Sequence, residues 1–111
     1  MPRLLTLAVF AVLVAAALGA APVSVHYATS DSMEPTIGEG DVFLVTDGTV
    51  EEGDVALYFS AEREELVAHR VVGETDAGYV TQGDANPSTD QAGGAPPVPP
   101  GEVVGPVVTV A

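Results

Sequence analysis

The stretch Ser30-Asp31-Ser32-Met33-Glu34-Pro35-Thr36 sets two serine hydroxyls beside a turn, and further along lie His69, Asp84 and Asp90, with His26 just before the stretch. These residue types could perform acyl transfer. A serine hydroxyl is a poor nucleophile until a base takes its proton, and the usual bases are histidine or a desolvated lysine. The chain contains no lysine, so an imidazole would have to serve. Neutral imidazole accepts a proton near neutral pH, and it needs an acceptor on its other nitrogen to fix its tautomer and orientation. His26 precedes the serines closely, whereas His69 sits in an alternating stretch where it shares a face with Val67 and Val71. Asp84 and Asp90 both follow the next apolar segment, and either could be the acceptor. Each residue also has an ordinary explanation. Serine before Met-Glu-Pro commonly caps a turn, a strand histidine commonly has a satisfied proton, and the aspartate of Gly83-Asp84-Ala85-Asn86 commonly makes a local hydrogen bond. Residue chemistry alone permits a Ser-His-Asp arrangement without requiring it. Such chemistry needs neither cofactor nor metal, and with no cysteine there is neither a thiolate site nor a disulfide.

Those side chains must be positioned by short strands. Val23, Val25 and Tyr27 alternate with Ser24 and His26, a strand signal leading straight into the serine turn. Gly38-Glu39-Gly40-Asp41 precedes Val42 to Val45, and Glu52-Gly53-Asp54 repeats the Gly-Asp turn before Val55 to Phe59. A charged connection over residues 61–65 leads to a strand from Leu66 to Val72. A turn over residues 75–78 then leads to Tyr79–Gln82. Residues 92–101 are too rich in proline and glycine for a ladder and read as a loop, and Val103 to Val110 supplies a last strand expected to be broken at Pro106. No helical period follows residue 25. The soluble part is therefore expected to be all-β, a small curled sheet or barrel of short strands.

Leu4 to Val25 carries no charge and follows Arg3. Roughly 20 such residues at about 1.5 Å rise cross a bilayer core of about 30 Å. The segment alone fits either a retained helix or a cleaved leader ending near Leu18-Gly19-Ala20-Ala21-Pro22. If retained, it makes residues 1–22 an N-terminal transmembrane helix and residues 23–111 one domain, with Arg3 keeping the N-terminus cytoplasmic. Sixteen acids against three arginines give a formal charge of −13. That balance excludes nucleic acid as a partner. With 47% hydrophobic residues the chain is not of the disordered type, and its acidity suits a halophilic protein whose self-repulsion is screened at high salt.

Ser30-Asp31-Ser32-Met33-Glu34-Pro35-Thr36 resembles the nucleophile box of type I signal peptidases, Ser-x-Ser-Met-x-Pro-Thr. Gly40 to Val45 looks like the strand that follows that box, and Gly53-Asp54-Val55 like the next element. Val67-Ala68-His69-Arg70-Val71-Val72 is similar to the base box, Gly83-Asp84-Ala85-Asn86 with Asp90 to the acidic box, and Gly101 to Gly105 to the final strand. The matches come in family order. The His-Arg pair, where the bacterial form carries a lysine, points to the archaeal and endoplasmic-reticulum branch.

The resemblance implies that Ser32 is the nucleophile and His69 the general base. Ser30 would stabilise the oxyanion together with the Ser32 N–H. Asp90, six residues after Asp84, would orient His69, with Asp84 as a supporting acid. Thr89 stands where relatives usually carry another acid, so Asp90 has no adjacent competitor. The resemblance also tips the apolar segment to a retained anchor, giving a single-pass membrane protein with an extracytoplasmic catalytic domain. Its substrates would be signal-peptide-bearing preproteins, bound along Val23 to Tyr27 with Tyr27 and Met33 in contact. The lipid bilayer and the protein-export channel are the other partners expected. Arg70 is expected to be structural. The alternatives are a secreted, non-catalytic β-domain of an acidic halophilic surface protein, or an inactive homologue acting in a complex.

Overall fold

Two aspartates open two strands in the same way. Asp41 Oδ2 accepts the N–H of Gly38 at 2.7 Å, and Asp54 Oδ2 accepts that of Glu51 at 2.9 Å. In each turn the preceding glycine takes the left-handed backbone, φ 88° at Gly40 and 100° at Gly53, which a side chain would disfavour. A computed structural model describes residues 22–111, so the expected membrane segment lies, apart from Pro22, outside the described residues. No helix among the described residues is long and apolar enough to cross a membrane.

The described chain is all-β. Its strands are β1 Val23–Tyr27, β2 Val42–Thr46, β3 Val55–Ser60, β4 Glu65–Thr75, β5 Gly78–Gln82 and β6 Val103–Val110, with a 3-10 turn at Pro100–Glu102 before β6. They form one antiparallel sheet in the order β1-β2-β6-β3-β4-β5. The two ends, β1 and β5, are not joined, so the sheet does not close into a barrel. β6 does not break at Pro106. Pro106 pairs with Ala56, and the ladder shifts register on both sides of it, between Leu57 and Tyr58 on β3 and between Leu44 and Val45 on β2. Proline lacks the N–H that an inner strand donates, and such irregularities are where an inner strand accommodates it. β4 runs three residues beyond Val72 because it shifts register against β5 between Val71 and Gly73 and then continues to the turn.

The sheet is covered on both faces. Met33 and Ile37 of the serine turn pack with Phe43, Val45, Val55 and Leu57 on one side. On the other, Ala56 joins Val50 and Val71, and Tyr58 joins Val67 and Val98, with Tyr79 and Val103 against both groups. Val98 reaches this second face by bridging Tyr79 from the proline-rich loop. His69 pairs with Ala56 and Val67 with Tyr58. Directly opposed residues of an antiparallel pair share a face, so His69 lies on the Tyr58 side.

Candidate active site

The serine turn is held by its apolar residues. Met33 and Ile37 are buried, at 4% and 1% exposure, and the Ile37 N–H donates to the Met33 carbonyl at 3.0 Å. Pinning those two leaves Ser32 at the rim. From below, the Ala85 N–H donates to the Ser32 carbonyl at 2.9 Å and the Asp84 N–H to Met33 Sδ at 3.3 Å, so the Gly83–Ala85 loop is the seat of the serine turn. Gly83 is required for that approach. A Cβ there would lie 2.6 Å from both the Ser32 carbonyl oxygen and Asn86 Nδ2.

Ser32 Oγ lies 3.0 Å from His69 Nε2, and His69 Nδ1 lies 2.7 Å from Asp90 Oδ2. The imidazole is 1% exposed, and both its nitrogens are engaged. A carboxylate accepts, so Nδ1 carries the hydrogen and Nε2 presents its lone pair to the Ser32 hydroxyl. This is the geometry in which a base can take a proton from a serine. Ser30 Oγ is 3.1 Å from Ser32 Oγ and 3.4 Å from the Ser32 nitrogen. The Ser32 N–H thus donates to the Ser30 hydroxyl, and both groups lie beside Ser32 Oγ.

Asp90 is fixed from three directions. Besides His69, its Oδ2 accepts from Thr81 Oγ1 at 2.7 Å and from Tyr58 Oη at 3.2 Å. Burial pushes this carboxyl up, but the hydrogen bonds from His69, Thr81 and Tyr58 and the attraction of His69 outweigh it and hold it below the usual range. Burial first, then the neighbouring carboxylate, pushes the Tyr58 phenol up to about 12, against the opposing bond with Thr81. The phenol therefore keeps its hydrogen at physiological pH.

Asp84 has a different environment. Arg70 Nε donates to its Oδ1 at 2.8 Å and Arg70 Nη2 to its Oδ2 at 2.7 Å, while the Thr36 hydroxyl donates to Oδ2 at 2.6 Å. Hydrogen bonding to Arg70, foremost, lowers its carboxyl despite burial. Instead of reaching the imidazole as a second acid, Asp84 ties β4 to the serine turn. His26 is likewise set apart, with Nε2 at 2.8 Å from Ser24 Oγ and its ring stacked on Phe43 at 5.6 Å. Burial pushes it below its ordinary value. Of the two histidines, His69 is the one beside Ser32.

A cavity of about 150 Å³ opens beside Ser32, between the β1 end and β4. Met33, Leu57 and Ala68 line its apolar side, and His26, Tyr27 and Ser30 line its β1 side. Tyr27 is 68% exposed at its edge. The structure thus brings Ser30, Ser32, Met33, Tyr27 and His69 around one groove, with Asp90 behind the imidazole and Asp84 beneath the turn.

Tyr58, Thr81, Gln91 and Thr36 were not singled out by sequence reasoning. Thr81 carried the clearest signal. It is a polar residue on the buried face of β5, opposite Val71, where alternation asks for an apolar side chain. No protein-family model and no curated protein sequence matches this chain.

Proposed function

We propose that the chain is a membrane-anchored serine endopeptidase of the type I signal peptidase kind, which removes signal peptides from exported preproteins. One observation carries the reading. Ser32, His69 and Asp90, separated by 37 and then 21 positions, stand in a continuous hydrogen-bonded line, and they are the three residues that the resemblance of the motifs assigns.

Ser32 Oγ adds to the scissile carbonyl carbon as its proton passes to His69 Nε2, and Asp90 stabilises the imidazolium. The Ser32 N–H and the Ser30 hydroxyl receive the oxyanion. Loss of one such donor commonly costs about 10²–10³ in rate. Collapse breaks the C–N bond, the amine of the mature protein takes the proton from His69, and water hydrolyses the Ser32 ester by the same proton transfers. Neither a cofactor nor a metal takes part.

The substrate adds as an extended strand along β1, whose one neighbour in the sheet among the described residues is β2. A cavity of about 150 Å³ suits small side chains at the first and third positions before the cut. It is well below the ~300 Å³ and more of sites for larger ligands. A retained N-terminal anchor over residues 1–22, with its N-terminus in the cytoplasm, belongs to the proposal on the charge-free run after Arg3. Preproteins, the bilayer and the protein-export channel are the partners. The test is cleavage of a preprotein bearing a small-x-small site, with product N-termini sequenced, by the wild type and by Ser32→Ala. Processing by the first at that site and none by the second is the expected result.

A further inference from the structure

We infer that Gln91 and Thr81 form a hydrogen-bond chain that directs the Thr81 hydroxyl hydrogen onto Asp90 behind His69, which makes both of them positioning residues for the reaction proposed above, on which this inference rests. The chain starts at the backbone. The Thr81 N–H donates to Gln91 Oε1 at 2.8 Å, and since a backbone N–H can only donate, the amide orientation of Gln91 is decided. Its Nε2 must then face the other way, and it does, 3.3 Å from Thr81 Oγ1 and 3.2 Å from the Pro96 carbonyl oxygen. The Thr81 hydroxyl accepts from Gln91, so its own single hydrogen is directed to Asp90 Oδ2 at 2.7 Å. Tyr58 Oη, 3.3 Å from Thr81 Oγ1 and 3.2 Å from Asp90 Oδ2, brings one further hydrogen, shared between those two oxygens.

Asp90 Oδ2 is therefore an acceptor only, and the hydrogen shared with His69 belongs to Nδ1. Thr81 is 1% exposed, so no solvent competes for its hydroxyl. The Asp90 N–H donates to the Thr81 carbonyl at 2.9 Å, and the two residues are thereby locked by backbone as well as by side chain. A misplacement of about 1 Å at such a group can cost about 10²-fold in rate. The residue type at position 91 matters because only an amide offers an acceptor and a donor on one rigid plane.

The experiment combines steady-state cleavage of a small-x-small preprotein with imidazole ¹⁵N and downfield ¹H NMR of the full chain. The variants are Thr81→Val, Thr81→Ser and Gln91→Glu, each prepared also with Ser32→Ala. Gln91→Glu keeps an acceptor for the Thr81 N–H but replaces the Nε2 donor by a charged acceptor, so the Thr81 hydroxyl turns its hydrogen from Asp90 to position 91. Thr81→Val and Gln91→Glu are expected to lower kcat by about tenfold to a hundredfold with KM unchanged, and to lose the exchange-protected His69 Nδ1–H resonance. Thr81→Ser restores both. Retention of the resonance by folded Thr81→Val and Gln91→Glu would overturn the inference, whatever happens to kcat, because a merely structural role leaves the imidazole proton in place. Should Thr81→Val not fold, Gln91→Glu decides. Cleavage by Ser32→Ala would instead refute the proposed function, and the resonance comparison in that same background still answers for the chain.

Discussion

Arg70 grips Asp84 through two parallel bonds, Nε to Oδ1 at 2.8 Å and Nη2 to Oδ2 at 2.7 Å, and its third nitrogen, Nη1, donates to the Gly53 carbonyl at 2.7 Å. A planar guanidinium matched to a carboxylate in this way is both strong and directional. It joins the turn before β3, strand β4 and, through Thr36, the serine turn. The two aspartates of the acidic segment thus divide their tasks. Asp90 faces the imidazole, and Asp84 braces the turn that carries Ser32.

Asp90→Asn should lower the cleavage rate on the order of 10³–10⁴-fold with the fold intact, since an amide cannot hold the imidazolium or the tautomer. Asp84→Asn should lower the rate less and stability more, by about 1–3 kcal/mol from a charge-assisted pair left incomplete. Single-turnover rates and urea midpoints on both variants check the division. The reverse ordering of rates would give the orienting role to Asp84.

The same pair predicts how stability depends on acid. Hydrogen bonding to Arg70 holds the Asp84 carboxyl below the usual carboxylate range, so folding favours the ionised form. Its contribution is fully present above the unfolded pKa and is lost as pH falls through the lower folded value. The urea midpoint of the wild type should therefore converge on that of Asp84→Asn as pH drops from neutral to below about 4. Taking the difference between the two removes the relief of net negative charge that acid brings to both. A gap that stays constant down to pH 2 would contradict this role for the ion pair.

Gly83→Ala should destabilise by about 1–3 kcal/mol and depress cleavage more than stability, because the added Cβ would push against the carbonyl of Ser32 itself. Gly73→Ala is the control. There the added carbon meets Val80 at 3.7 Å, an ordinary contact. Equal effects of the two substitutions would mean that the loop under Ser32 can yield.

Much of this arrangement is legible in the chain before folding. Alternation marks Val67, His69 and Val71 as one face of a strand, and the Gly-Asp pairs mark where β2 and β3 begin. Both depend on neighbours within a few residues. The placement of β6 between β2 and β3 is not legible, because no local signal says that the last strand pairs with two early ones. Pro106 argued against continuity there, and only the paired register shifts around it explain why the strand survives. Tyr58 and Gln91 were missed for the same reason, and Thr81, a polar break in the alternation of β5, marks a buried hydroxyl without naming its partner. Tyr58 and Thr81 take their roles from meeting Asp90, and Gln91 from meeting Thr81, across two strands and a loop. The separation of Asp84 from Asp90 turns on Arg70, whose partner was invisible until β4 and the acidic loop were side by side.

Residues 22–111 contain all sixteen acids against Arg63 and Arg70, a net of 2 − 16 = −14 with both histidines neutral. At 0.1 M salt, where the Debye length is about 10 Å, those charges repel across much of a small domain, and at 1 M, near 3 Å, they scarcely do. The thermal midpoint should rise steeply between these concentrations and then level. Circular dichroism melts in potassium chloride check this. A midpoint independent of salt would remove the argument from acidity to a saline environment.

The most direct measurement is single-turnover cleavage of a preprotein with a small-x-small site by the full chain purified with lipid, comparing wild type with Ser32→Ala, His69→Ala and His26→Ala. The wild type should cut at that site, Ser32→Ala and His69→Ala should each lose essentially all of the activity because the two act as a unit, and His26→Ala should lose little. Near wild-type turnover by Ser32→Ala, or a loss in His26→Ala as deep as in His69→Ala, would contradict the account.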